Sequence, residues 1–155
     1  MSEPATINPR IVEALYCEAL LLSDEVRAAF TLSGRPGSDY AQDEDLARIA
    51  LSSEGLRTTT RMMHAIAWLL NHRAFFRREI NEMQLRRHGR LSSDMRLSDP
   101  QQTALLAPAT ARLVETTRRF YERLLRLDQS WRIIELAAPS ALQSLRDRIE
   151  RRIAG

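Results

Sequence analysis

Histidine and cysteine side chains are the ones in this chain that could perform metal or nucleophilic chemistry. His64 and His72 are eight residues apart, so they fall roughly on one side of a helix, where two imidazoles can share a metal ion. The Glu-x-x-His pattern of di-iron bundles does not accompany them. A surface or hydrogen-bonded role is therefore the favoured interpretation of both histidines, and the sequence predicts no metal and no cofactor.

Nucleophilic and acid–base chemistry have equally little support. Cys17 has no nearby base that would activate its thiol, so the sequence favours a small core residue at this position. Glu13 and Glu18 lie in charged helical turns, which are usually solvated. The sequence contains no glycine-rich phosphate loop, no cysteine pair for zinc and no serine elbow with a matching His and Asp. It therefore predicts a protein that is not an enzyme.

All 23 basic side chains are arginines, and the formal net charge is +3. They cluster at the end of the second predicted helix and along the third, at Arg73, Arg77, Arg78, Arg86, Arg87, Arg90, Arg118, Arg119, Arg123 and Arg126. Acidic residues alternate with them at helical spacing, at Glu79, Glu82, Glu115, Glu122 and Asp128, which favours intrahelical ion pairs on a solvated face. The alternative is a small nucleic-acid-associated protein that uses these arginines.

The elements that position these residues are predicted to be helices, because the 155 residues contain few Gly and Pro and many Leu, Ala, Arg and Glu. Apolar periodicity predicts helices over 9–32, 41–76 with a possible extension to 88, and 108–132. Residues 89–107 are polar and are predicted to form a mobile linker. The expected organisation is a helical bundle domain over 1–135 and a basic amphipathic tail over 136–155, flexible or forming a short helix.

The predicted location is the cytoplasm. A single cysteine suits a reducing compartment, the N-terminus has no signal-peptide core, and no apolar run reaches the length of a membrane span. No contact with a membrane is therefore predicted.

The second predicted helix is the centre of the expected fold, because it is apolar on two sides. One seam contains Ile49, Leu56, Met63, Ala67, Leu70 and Ala74, and a second contains Leu51, Met62, Ala65, Leu69 and Phe76. A surface helix needs only one such stripe, so this helix needs two sets of neighbours. These are two helices of its own chain, or one of them and a second subunit. The candidates for structural core and dimer seam are Leu56, Met62, Met63, Ala67, Trp68, Leu69, Leu70 and Phe76.

The predicted tail has an apolar stripe beside a row of arginines. Two interpretations stay open: the tail folds back as a fourth helix, or it presents its stripe to the groove of another protein. Trp131, near the end of the third predicted helix, covers the bundle end or docks a partner. The candidate partner-binding residues are Trp131, Leu142, Leu145, Arg148, Ile149, Arg152 and Ile153.

A segment of the second predicted helix, SEGLRTTTRMMHAIAWLLNHRA over residues 53–74, resembles the signature of the RcdA family, the alphaproteobacterial regulators of CtrA degradation. The matching elements are Ser-Glu, Leu-Arg-x-Thr-x-Arg-Met-Met, Ala-Trp-Leu-Leu and the closing Arg-Ala, and they cover about a seventh of the chain.

The resemblance implies an antiparallel three-helix bundle that forms a homodimer. It also implies a non-enzymatic adaptor that helps the ClpXP protease engage cell-cycle substrates such as the response regulator CtrA, together with a CpdR-like partner. In that family the tail matters for adaptor activity, which favours the docking interpretation of residues 142–153.

Overall fold

The computed structural model describes residues 7–32, 43–137 and 141–155, and in these ranges all regular structure is helical. The prediction of an all-α protein is therefore confirmed at the level of fold class. The helices are α1 (Pro9–Leu32), α2 (Asp43–Phe76), α3 (Glu82–His88), α4 (Pro100–Thr103), α5 (Pro108–Ala137) and α6 (Ala141–Ile153), with a short 3-10 helix at Ser93–Arg96. None of the helices in the described ranges has both the length and the apolar character needed to cross a membrane.

The long central helix ends at Phe76, well before residue 88, because Arg78 adopts a left-handed conformation with φ of 60°. The Glu79 amide donates to the Ala74 carbonyl at 2.9 Å, and the Arg78 amide donates to the Phe75 carbonyl at 3.0 Å. This pair of hydrogen bonds is a Schellman motif, which satisfies the last carbonyls of a helix. The prediction left the end of this helix open, and these bonds explain the break.

A new helix starts only a few residues later. The Gln84 amide donates to the Asn81 side chain at 2.8 Å, and the Asn81 amide donates to the Gln84 side chain at 2.9 Å. This reciprocal capping box satisfies two amides that have no partner within α3. The chain therefore turns sharply between α2 and α3 at a place that apolar periodicity does not mark.

α1 and α2 run in opposite directions. At one end, the Arg73 Nε atom lies 2.7 Å from the Glu13 carboxylate. At the other end, the Phe30 ring packs on Gly55, where an added Cβ would lie 2.8 Å from the Phe30 Cδ1 atom. The missing side chain at position 55 thus lets α1 approach the first half of α2 closely.

α5 runs in the same direction as α2. The Arg61 Nη1 atom donates to the Thr117 hydroxyl at 2.9 Å, and further along both helices the Trp68 indole donates to Asp128 at 3.2 Å. This differs from the antiparallel three-helix bundle that the resemblance implies, in which α5 would run against α2. The physical reason lies in the connection, which returns the chain to the start of α2 before α5 begins.

Residues 89–107, expected to form a mobile linker, make this return. The Asn71 side chain donates to the His88 carbonyl at 3.2 Å near the end of α2, and Met95 and Leu97 contact the middle of α2 through Arg61. Within the segment, Leu91 and Leu106 are buried. The segment is therefore packed against the bundle. Its composition is mostly polar, but a few of its apolar side chains are buried and hold it there.

α1, α2 and α5 share one apolar core, supported by the 3-10 segment. The predicted second seam of α2 faces this core, with Met62, Ala65 and Leu69 buried and Phe76 packed at its edge. The other fully buried apolar members are Val12, Ala19, Val26, Trp68, Phe120, Tyr121 and Leu124. Removing this surface from water is the main favourable contribution to the stability of the fold.

We expect Arg78→Gly to raise the free energy of unfolding by about 1 kcal/mol. The left-handed conformation is strained for a residue with a Cβ atom and is free of strain for glycine. Chemical denaturation of both proteins measures the change. Arg77→Gly is the matched control, because residue 77 does not have a positive φ, and it should stabilise nothing. Equal effects of the two substitutions would show that the conformation of residue 78 is unimportant.

Candidate binding surfaces

Two charged residues of the segment 53–74, Arg61 and Glu54, are buried at the centre of the molecule. Arg61 is completely buried, and its Nε and Nη2 atoms donate to the carbonyls of Met95 at 2.6 Å and Leu97 at 3.0 Å. Its Nη1 atom binds Thr117 of α5. Burial lowers the pKa of Arg61 to about 10, so the guanidinium stays charged at neutral pH. One side chain therefore joins α2, the return segment and α5.

Glu54 lies about two helical turns before Arg61 on α2 and is also completely buried. Its carboxylate accepts a hydrogen bond from Arg57 at 2.9 Å and lies 3.4 Å from the Asp99 amide. The opposite charges of Glu54 and Arg61 attract each other electrostatically. Buried charges persist only when they are paired and hydrogen-bonded, and both conditions hold here. Two charged residues of the RcdA-like segment thus stabilise the interior of the fold.

The opposite side of α2 carries an exposed apolar stripe. Ile49, Leu56, Met63 and Leu70 recur every seventh residue, and their exposed fractions are 60%, 72%, 64% and 43%. Smaller residues alternate with them at three- and four-residue steps, at Ser53, Thr60, Ala67 and Ala74. This set, called the α2 stripe below, has no covering element among the described residues. It has the seven-residue repeat of a coiled-coil seam.

The candidates for core and dimer seam therefore separate into two groups. Met62, Trp68 and Leu69 face the core of their own chain, with Phe76 partly buried beside them. The other four, Leu56, Met63, Ala67 and Leu70, belong to the α2 stripe. The two seams predicted from the sequence are thus on opposite sides of α2, and the described residues of the chain cover one of them.

α6 is a second exposed surface, and its described side chains, from Leu145 to Ile153, are all exposed. Leu145, Ile149 and Ile153 are its exposed apolar residues, and Arg148 and Arg152 are exposed beside them. The side chain of Leu142, also a candidate, lies outside the described residues. Folding back as a fourth helix would bury the apolar residues, which the structure leaves exposed.

Trp131, the remaining candidate for partner binding, packs inward. It is partly buried against the apolar core and meets the His72 ring edge-on, with 5.5 Å between the ring centroids. His72 in turn lies 4.1 Å from the Trp68 ring centroid. The structure therefore places Trp131 in an aromatic cluster with His72 and Trp68 at the edge of the core, and its role in partner binding stays a prediction.

The two histidines occupy different environments. His64 is exposed, whereas His72 is buried and its Nε2 atom has no hydrogen-bond partner. Burial lowers the pKa of His72 to about 4, so its ring is neutral at physiological pH. The described residues contain no group of three or more His, Cys, Asp or Glu that could hold a metal ion. The two imidazoles thus do not share a site.

Cys17 is exposed, and the expectation of a core position is wrong. α1 buries Val12, Ala19, Leu22 and Val26, and position 17 falls outside this stripe. Cys17 shares its exposed side of the helix with Leu20 and Leu21.

Many of the arginines are paired as the sequence predicts. Arg118 lies 2.7 Å from Glu115 and 3.7 Å from Glu122, and Arg86 lies 2.9 Å from Glu82. These are intrahelical pairs on a solvated face, so that prediction is confirmed for them. Asp128 is also paired within its helix, with Arg132 at 3.2 Å, but it is buried and accepts a further hydrogen bond from the Trp68 indole.

These features define an all-helical protein with a buried polar cluster and two exposed apolar surfaces, the α2 stripe and α6. The chain belongs to the family described as protein of unknown function DUF1465, whose model matches residues 4–153. Searches of curated proteins and of solved structures found no match. The family match covers nearly the whole chain and assigns no activity to it.

We expect Arg61→Leu to lower the free energy of unfolding by at least about 3 kcal/mol. The change removes one of the two positive charges near Glu54, leaving Arg57, and takes the donor from the Met95 and Leu97 carbonyls and from the buried Thr117 hydroxyl. Urea denaturation measures the loss. The control is Arg119→Leu, which removes an exposed ion pair with Glu115 and should cost less than about 1 kcal/mol. A similar small cost at both positions would contradict the proposed role of the cluster.

We expect His72 to make the protein less stable in acid. Its folded pKa of about 4 is below the value of 6.5 in an unfolded chain, so the unfolded state binds the extra proton. The stability is complete above pH 6.5 and falls as the pH drops towards 4, by about 2 kcal/mol between pH 7 and pH 5. Denaturation curves at both pH values should lose this difference in His72→Phe and keep it in the exposed control His64→Phe. A pH dependence that survives in His72→Phe would exclude His72 as its source.

Proposed function

We propose that this protein is a non-enzymatic adaptor that works as a homodimer and binds other proteins. Its partners would be those implied by the resemblance to the RcdA family: the ClpXP protease, a CpdR-like response regulator and a CtrA-like substrate. The observation that carries the proposal is the exposed α2 stripe, an apolar surface with the regular spacing of a helix interface.

The size of the stripe supports an interface. Ile49 and Leu70 are 21 residues apart, which corresponds to about 32 Å of helix at 1.5 Å per residue. Isolated exposed apolar residues are ordinary, but a continuous apolar patch of this length on a soluble protein usually marks an interaction site. The stripe also lies on the longest helix, whose other side is fixed in the core. It is therefore a rigid surface.

A second copy of the chain is the partner that fits this surface best. In an antiparallel pair related by a twofold axis near residue 60, Leu56 would face the partner's Met63, and Ile49 would face the partner's Leu70. Such an interface is complementary to itself, as twofold dimers require. The small residues Ser53, Thr60 and Ala67 between the large ones would leave room for the opposing side chains and allow a close approach of the helices.

α6 is proposed as the contact for further proteins. Its three exposed apolar residues are spaced by four, so they lie along one side of the helix. Arg148, Arg151 and Arg152 stand close to them. A partner with an apolar groove and an acidic rim has the complementary chemistry, because the groove would bury the stripe and the rim would pair the guanidinium groups.

The nucleic-acid alternative has weaker support. Arg118, Arg119 and Arg123 on α5 are each within ion-pair distance of a glutamate, so they carry no free positive face. A nucleic-acid surface would instead require arginines that are available to phosphates.

We expect Met63→Glu and Leu56→Glu to convert the dimer into a folded monomer. Each change would place charges in the middle of the proposed interface without touching the core of the chain. Light scattering after gel filtration gives the mass, and circular dichroism checks the helices. Leu21→Glu is the matched control, since Leu21 is equally exposed on α1. A wild-type monomer, or a dimer that survives both changes, would contradict the proposed interface.

We expect α6 to be needed for partner capture but not for dimerisation. Full-length protein should retain the ClpXP protease or a response regulator from a cytoplasmic lysate. The double variant Leu145→Glu, Ile149→Glu and a truncation after Ala137 should lose these proteins and remain dimeric, whereas Leu21→Glu should keep them. Mass spectrometry identifies the captured proteins. Recovery of nucleic acid alone, released by moderate salt, would contradict the adaptor proposal and favour the alternative.

A further inference from the structure

An open cleft of about 470 Å³ lies between residues 90–93 and the second half of α5. Its walls include Arg90 and Leu91 on one side and Asp128, Gln129 and Arg132 on the other. Neither the α2 stripe nor α6 contributes to it. Its volume is within the usual range of small-ligand sites.

The floor of the cleft is a buried carboxylate in a fixed position. Asp128 is 3% exposed, and its Oδ1 atom accepts from the indole N–H of Trp68 at 3.2 Å. The Trp68 ring is itself buried in the core, so it holds the carboxylate in place. The Arg132 Nε atom lies 3.2 Å from the Asp128 Oδ2 atom, and the Nη2 atom lies 3.4 Å from Oδ1. The core thereby orients the guanidinium of Arg132 through Asp128.

In the part of the chain that the structure describes, Arg132 keeps donors for a ligand. A guanidinium has five N–H groups, and two of them are directed at Asp128. The remaining groups include the Nη1 side, which can hold a second carboxylate through paired hydrogen bonds. Arg90, also on the cleft wall, is exposed and makes no ion pair or hydrogen bond in the part of the chain that the structure describes. Two guanidinium groups are thus available to one ligand.

The charges of the cleft select the class of anion. Among the lining residues that the structure describes, Arg90 and Arg132 contribute two positive charges and Asp128 one negative charge, which gives this set a net charge of +1. A carboxylate, with one negative charge, balances this site. A phosphate dianion would bring excess negative charge close to the buried Asp128. Leu91 and Leu125 add apolar wall for the body of the ligand.

We propose that this cleft is a carboxylate-binding site, in which Arg132 and Arg90 hold the carboxylate and Leu91 and Leu125 contact the apolar group that carries it. The inference is independent of the adaptor function. The same chemistry is found at a peptide C-terminus, in an acidic side chain and in a small free acid, and the test separates these sources.

The test uses full-length protein and probes that share a body and differ in charge. N-acetyl-leucine and N-acetyl-leucinamide are titrated separately while NMR follows the indole N–H of Trp68 and the Nε–H of Arg132. We expect the acid to bind at least about tenfold more tightly than the amide, because only the acid can accept charge-assisted hydrogen bonds. Acetyl-Gly-Glu-Gly-amide and acetate report on an acidic side chain and on a small acid, and inorganic phosphate reports on the anion class.

Three variants locate the site. Arg132→Gln and Arg90→Gln should each weaken the best-binding acid at least about tenfold. Arg126→Gln removes the same charge from an exposed position of α5 outside the cleft and should leave binding unchanged. Arg90 is on the surface, so its variant keeps the test valid if Arg132→Gln unfolds. Equal binding of acid and amide, equal or tighter binding of phosphate, an equal effect of Arg126→Gln, or no binding of any acid at millimolar concentration would each overturn the proposal.

Discussion

The buried guanidinium of Arg61 is the interaction on which the rest of this structure depends. The connection of about thirty residues between α2 and α5 is anchored by a few buried apolar side chains, Leu85, Leu91 and Leu106, and its middle needs a further attachment. Arg61 supplies what is missing, because it donates to two carbonyls of that connection and to Thr117 of α5 at the same time. The direction of α5 follows from this arrangement, since the connection brings the chain back to the beginning of α2. The cost of burying a charge is offset by these bonds and by Glu54.

The two sides of α2 have different roles, one in folding and one in the proposed association. The side with Met62, Trp68 and Leu69 is closed by α1, α5 and the return segment, whereas the side with Leu56 and Met63 faces outward. The segment that resembles the RcdA signature spans both sides. Its charged members Glu54 and Arg61 stabilise the fold, and its outer apolar members supply the proposed interface. A signature of this kind thus combines requirements of folding with requirements of association.

Apolar periodicity was sufficient to predict the helical class, the approximate extent of the long helices and the two-sided character of α2. It was not sufficient to predict charged residues that are buried or that adopt a left-handed backbone conformation. Arg61 and Asp128 are buried, although charged residues in a helical sequence are usually predicted to lie on a solvent-exposed face. Arg78 ends a helix in a conformation typical of glycine. The burial of Arg61 and Asp128 depends on contacts with residues far apart in the chain, and local spacing carries no information about them. The cleft at Arg132 was missed for the same reason.

The shared direction of α2 and α5 also affects the order in which the chain can fold. α1 and α2 are close in sequence and antiparallel, so they can pair soon after both have been synthesised. The contacts of Arg61 with Thr117 and of Trp68 with Asp128 join residues 56 and 60 positions apart, and they require the whole return segment first.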